Sequence, residues 1–184
     1  MPLAGAYRNL CISCSTAERR QCQPRQKGHD GVDLVAADFP RRELFPAGRL
    51  DKTSTGFVLL TDDGALAHDI LSPAHHVEKQ YVVTLDTPLT DAMRRGFAAG
   101  VDADRRRDDG SRRRRAADRR RPDRAGHAAA GVYHQIKRMF GVFDAGVNAL
   151  HRESIGGVAL DPALAPGQWR ELTAAEVERL QNVK

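Results

Sequence analysis

Gly48-Arg49-Leu50-Asp51-Lys52-Thr53-Ser54-Thr55-Gly56 runs directly into Phe57-Val58-Leu59-Leu60-Thr61. The second run is short, apolar and bounded by turn residues, so it reads as a buried strand. The first run places one acid between a basic residue and small polar residues. Gly48 and Gly56 leave the backbone able to turn sharply at both ends. A carboxylate held in such a turn against a core strand is fixed in place and partly screened from water, as a nucleophile or general base must be. Without its neighbours, Asp51 reads first as the cap of a turn.

Outward from this stretch the pattern alternates between helices and strands. Asp62-Asp63-Gly64 signals a turn, and residues 65–71 suit a short helix stopped at Ser72-Pro73. From Lys79 to Leu85, Tyr81, Val83 and Leu85 share one face, with Val82 and Thr84 on the other. Thr90 or Asp91 can cap a helix running to about Ala99 and closed by Gly100. Ile136, Met139, Phe140 and Phe143 make an apolar helical stripe, with Lys137 and Arg138 off it. Residues 147–150 and 158–160 read as short strands around a Gly156-Gly157 bend, and Thr173-x-x-Glu176 is a capping box opening a last helix. Before the central stretch, Val32-Asp33-Leu34-Val35 suggests a short helix ending ahead of Pro40.

The charge is unevenly placed. Of 29 basic and 24 acidic residues, the segment 102–126 holds 11 Arg and 6 Asp, leaving 18 of each sign elsewhere. The net charge of +5 therefore belongs to one segment. Residues 102–130 contain no core-forming side chain, the mark of a solvated, disordered run or of a basic arm on RNA phosphates. Residues 1–30 also show little apolar periodicity, and the expectation there is a disordered arm. Cys11, Cys14 and Cys22 are an odd number without a secretion signal, which points to free thiols in a reducing compartment. Cys11-x-x-Cys14 with Cys22 and His29 lacks the second close pair of a zinc site, so no metal is expected. No apolar run approaches the roughly 20 residues that span a bilayer, so the chain is expected to be cytoplasmic and without membrane contact.

Leu44-Phe45-Pro46-Ala47-Gly48-Arg49-Leu50-Asp51 through Thr55-Gly56 resembles the catalytic motif of the RsuA-type family of ribosomal RNA pseudouridine synthases. Further blocks follow in the family's order: Ser72-Pro73-Ala74-His75-His76-Val77-Glu78-Lys79-Gln80-Tyr81-Val82-Val83, then Tyr133-His134-Gln135-Ile136-Lys137-Arg138-Met139-Phe140. Leu150-His151-Arg152-Glu153-Ser154-Ile155-Gly156-Gly157, with Leu160-Asp161 and Pro166-Gly167-Gln168-Trp169-Arg170, completes the set. The likeness covers residues 44–101 and 131–180. It implies an α+β pseudouridine synthase fold over 31–184, a mixed, mostly antiparallel sheet flanked by helices. The Arg-rich stretch 102–130 interrupts that domain where relatives place strands. Its Arg, Ala, Gly, Pro and Asp content matches out-of-frame translation of a GC-rich gene, a reading that extends to 1–30. The small RNA-binding S4 module that often precedes this domain is not found.

The resemblance also implies the chemistry. Uridine is isomerised to pseudouridine by breaking the C1′–N1 bond, turning the base and rejoining it through C5, with no redox cofactor and no metal. It assigns Asp51 as the catalytic carboxylate, Lys137 as its counter-charge and Tyr81 as the residue that stacks on the base and handles the C5 proton. Arg49, Lys79, His134, Arg138 and Arg152 are the expected RNA contacts. The expected partner is ribosomal RNA or a pre-ribosomal particle, met by a monomer. The second and third blocks look closest to the small-subunit enzyme. A large-subunit enzyme, or an RNA-binding remnant with impaired catalysis, are the alternatives.

Overall fold

The apolar run after Gly56 forms β3 (Ser54–Thr61), the central strand of the sheet, and its side chains are buried on both faces. Phe57 and Leu59 pack with Leu66, Ala67 and Ile70 of α2 (Gly64–Leu71). Val58 and Leu60 point the other way, into a cluster with Leu10, Ile12, Val35, Leu44 and Leu50. A strand covered on both sides needs an unbroken apolar run, and this is what 57–60 supply. The computed structural model describes residues 7–14, 32–51, 54–72, 74–75, 77–101, 127–129 and 135–182.

Among the described residues the other elements are β1 (Asn9–Cys14), α1 (Asp33–Ala36), β2 (Phe45–Pro46), β4 (Glu78–Leu85) and α3 (Asp91–Ala99). These are followed by β5 (His127–Ala129), α4 (Gln135–Gly141), β6 (Val147–Ile155), β7 (Val158–Ala159), β8 (Trp169–Glu171) and α5 (Ala174–Gln181). One sheet runs β5-β4-β6-β3-β1-β8, with β2 added to β3 and β7 to β6. Among the described residues only β3 and β6 pair in parallel; the remaining pairs are antiparallel. The mixed, mostly antiparallel α+β sheet expected from the sequence is therefore the one observed.

Local signals account for several of the helix ends. Asp63 caps α2, its carboxylate accepting from the amides of Ala65 and Leu66 at 3.0 and 3.1 Å. Thr90 caps α3 through the Met93 amide, and Gly100 closes it at φ +90°. α3 and α4 lock together where the Phe97 and Phe140 rings meet edge-on at 4.6 Å. Ile136, Met139 and Phe140 bury the stripe read from sequence, beside Val83 and Leu150. No helix among the described residues is long and apolar enough to cross a membrane.

Two expectations need correction. The arm expected over 1–30 contains β1, which lies between β3 and β8 with Leu10, Cys11 and Ile12 fully buried. Three consecutive apolar residues buried on both faces show no alternation, and their polar flanks obscured them. In the Arg-rich stretch, residues 127–129 pair with Glu78–Gln80 as the strand beyond β4. Residues 15–31 and 102–126, with the arm and frame readings placed there, lie outside the described residues. β6 also runs on to Ile155, well past the short strand expected at 147–150.

At the C-terminus, Arg170 sits between Asp161 and Glu176, its Nε 2.7 Å from Asp161 Oδ2 and its terminal nitrogens 2.9 and 2.7 Å from the Glu176 oxygens. The Glu176 side chain also completes the capping box of α5 with Thr173. Arg170's hydrogen bond, opposed by partial burial and helped by the Thr173 amide and hydroxyl, pulls the Glu176 carboxyl down to about 2. A folded pKa below the ordinary 4.5 contributes stability that is fully present above pH 4.5 and fades as the pH falls toward 2. Glu176→Gln should therefore flatten the fall in Tm across that window. The expected difference is about 1 kcal/mol, or roughly 2–4 °C, held to that size because the cluster is at the surface. Thermal melts of both chains between those pH values check it.

Candidate active site

The loop entering β3 is shaped by its two glycines. Gly48 has φ +104° and Gly56 φ +103°, the left-handed region that a side chain resists. Between them Leu50 is buried, Arg49 is exposed and Asp51 is half-buried. The Ser54 amide donates to the Asp51 carbonyl at 2.9 Å and the Ala47 amide to the Leu59 carbonyl at 2.8 Å, so both loop ends are tied to β3. Lys52 and Thr53 lie outside the described residues.

Strand register fixes where Arg152 and Tyr81 stand relative to Gly56, at the end of this loop. In the parallel pair Gly56 faces Arg152, and in the antiparallel pair Tyr81 faces the same Arg152. Gly56, Arg152 and Tyr81 thus form one row across β3, β6 and β4. Tyr81 is half-buried and packs on the cluster that holds α4, whose Lys137 and Arg138 are half-buried beside the apolar stripe. Asp51, Tyr81 and α4 are contributed by three separate blocks of sequence, and β6 lies between β3, which follows Asp51, and β4, which carries Tyr81.

Two expected RNA contacts are corrected. Arg152 is 1% exposed, and its acceptors are backbone carbonyls. Nε donates to Phe57 at 2.6 Å, with longer contacts of 3.4 Å from the terminal nitrogens to Arg49 and Gly48. Lys79 is 6% exposed, and its Nζ donates to the carbonyls of Ile70 and Val77, both at 3.2 Å. Burial, and secondarily the nearby Arg152 charge, push the Lys79 ammonium down to about 8. A guanidinium and an ammonium turned into the core hold backbone in place and are not presented to a phosphate. The signal was in the strand pattern: in β6 Leu150, Arg152 and Ser154 are all buried, a periodicity that puts Arg152 on an inward face. Arg49 keeps its exposed place beside Asp51, whereas His134 lies outside the described residues.

Thr55 and His151 meet next to this row, Thr55 Oγ1 2.8 Å from His151 Nδ1. Burial holds the His151 imidazole below its ordinary value, against a smaller opposing pull from Glu153. The pair joins β3 to β6 just past the loop, and sequence reasoning had not singled it out. The Ser54 hydroxyl is buried with no hydrogen-bond partner among the described residues. His75 Nδ1 lies 3.3 Å from Asp69 Oδ1. Cys11 is a core residue of β1, its thiol pushed up to about 11 chiefly by burial, so it is a poor metal ligand. The described residues contain no group of three or more potential metal ligands.

Residues 21–149 match the RNA pseudouridylate synthase family. The chain is 44% identical over 177 residues to the ribosomal small subunit pseudouridine synthase A of Escherichia coli strain K12, covering 96% of this chain and 76% of that one. It is likewise 44% identical over 157 residues to the protein of that name from Yersinia pestis, covering 85% and 66%. Among solved structures, a pseudouridylate synthase crystal structure superposes with a TM-score of 0.78 at 33% identity, over 95% of this chain and 74% of that one. An archaeal box H/ACA sRNP Nop10–Cbf5 complex shares the fold at a TM-score of 0.52 and 13% identity, over 87% and 51%.

Proposed function

The chain belongs to the RNA pseudouridylate synthase family, and from that premise we propose that it converts a uridine of small-subunit ribosomal RNA to pseudouridine. The observation that carries this reading is the 44% identity, over three quarters of its length, to an enzyme named for the small ribosomal subunit. Asp51 supplies the carboxylate at the ribose, as nucleophile or as stabiliser of the sugar cation. Lys137 supplies the counter-charge to it. Tyr81 stacks on the base and manages the C5 proton. The proton lost from C5 is balanced by the one gained at N1, so the isomerisation is redox-neutral. Reaching C1′ in folded RNA requires the nucleotide to leave its stack. Arg49, exposed next to Asp51, suits the vacated space or the flanking phosphate, and Arg138 a second phosphate. The enzyme acts as a cytoplasmic monomer.

The test is tritium release from C5-labelled uridine, offered in parallel in small-subunit and large-subunit ribosomal RNA. Release from the small-subunit RNA alone, at one equivalent per RNA, is the expected result. Release confined to large-subunit RNA would transfer the assignment to that substrate. Tight, salt-sensitive binding with no release from either would leave the remnant reading in its place.

A further inference from the structure

The fold buries a guanidinium directly beneath the loop that carries Asp51. Arg152 reaches that loop from β6, and its three carbonyl acceptors lie on both sides of Asp51: Gly48 and Arg49 before it, Phe57 after it. One planar group thus ties the Gly48 and Arg49 carbonyls to that of Phe57, on the other side of Asp51 in the sequence. Gly56, opposite Arg152 in the parallel pair, allows β3 to approach closely enough for this, since any Cβ there would collide with the Arg152 backbone.

Stability alone is a poor reason for this arrangement. Burying a cation is costly, and this one lies near a second buried cation, Lys79. An apolar side chain of the same length would fill the space without desolvating a charge. What only a forked, multiply donating group provides is a fixed geometry for the loop carbonyls. We infer that Arg152 is a positioning residue of the isomerisation, holding the Gly48 and Arg49 backbone against Phe57 so that Asp51 meets the ribose, and makes no contact with RNA. This rests on the reading of Asp51 as the catalytic carboxylate.

The experiment measures kcat and KM for tritium release, the salt dependence of RNA binding, and Tm, for the wild type and for Arg152→Met, Arg152→Gln and Arg152→Lys. Positioning predicts that kcat of the folded Met and Gln variants falls about 100-fold while KM stays within about threefold, because a small misplacement of a reacting group weakens the chemical step and not the binding. Arg152→Lys should recover part of kcat, since one cationic donor remains for three carbonyls. An unchanged kcat with a raised KM and a shallower salt slope would overturn the inference in favour of a phosphate contact. A lowered Tm with unchanged kcat and KM would reduce Arg152 to a structural residue. If the Met variant does not fold, the Lys and Gln variants are judged on the same criteria. Failure of the underlying reading shows separately, as a wild-type enzyme that releases no tritium.

Discussion

Asp51→Asn should bring tritium release down by roughly 10⁴-fold, about 5.5 kcal/mol of lost transition-state stabilisation, while leaving the fold intact. The size follows from what the substitution removes. Asn keeps the shape of the side chain and its capacity to accept hydrogen bonds. It cannot attack a sugar carbon, and it has no charge to set against a developing sugar cation. The fold is spared because the loop is held by main chain: the Asp51 carbonyl still accepts from Ser54, and Leu50 stays buried beneath it. The Tm should therefore move by no more than a few degrees. Single-turnover release assays on wild type and variant, with melts run alongside, check both halves. Retained release in a folded Asp51→Asn chain would sink the assignment of the carboxylate.

Gly56→Ala should be the most damaging glycine-to-alanine change among the described residues, costing roughly 3–5 kcal/mol and lowering Tm by about 10 °C. Two penalties coincide at this position. The φ of +103° lies where a side chain is strained whatever its surroundings. In addition, an added Cβ would stand 2.7 Å from the Arg152 nitrogen, 2.9 Å from its carbonyl carbon and closer still to its oxygen. These are backbone atoms of the neighbouring strand and cannot swing aside as the end of a side chain would. Relief requires β3 and β6 to separate, which would also draw Arg152 away from the loop it holds. Activity should fall with stability, even at temperatures where the variant remains folded. Gly64→Ala, at the first turn of α2 with open space around it, is the control and should be neutral or slightly stabilising. Denaturant unfolding of the two variants separates them, and a Gly56→Ala chain as stable as the control would contradict the close approach of the strands.

What could be read without coordinates followed the reach of the interactions involved. Thr90, Gly100 and the Thr173–Glu176 box act on backbone groups a few residues away, and the helices they bound lie where they were expected. The alternation of Tyr81, Val83 and Leu85, and the stripe of Ile136, Met139 and Phe140, are local periodicities that survive folding unchanged. β1 was missed because its evidence is not local. Leu10-Cys11-Ile12 is an ordinary triplet until β3 and β8 take it between them.

The site divides along the same line. A charge-bearing turn between two glycines, ahead of a doubly buried strand, is a property of neighbouring residues, so the order of letters alone determined Asp51, its loop and the family they imply. Where a long cationic side chain ends depends on which strands lie beside it. Arg152 and Lys79 read as surface contacts because arginine and lysine usually are. Only the pairing of β6 with β3 and β4 turned one toward the loop carbonyls and the other toward the end of α2. Their destinations were decided by tertiary structure, because a buried cation must find its acceptors among groups far away in the chain.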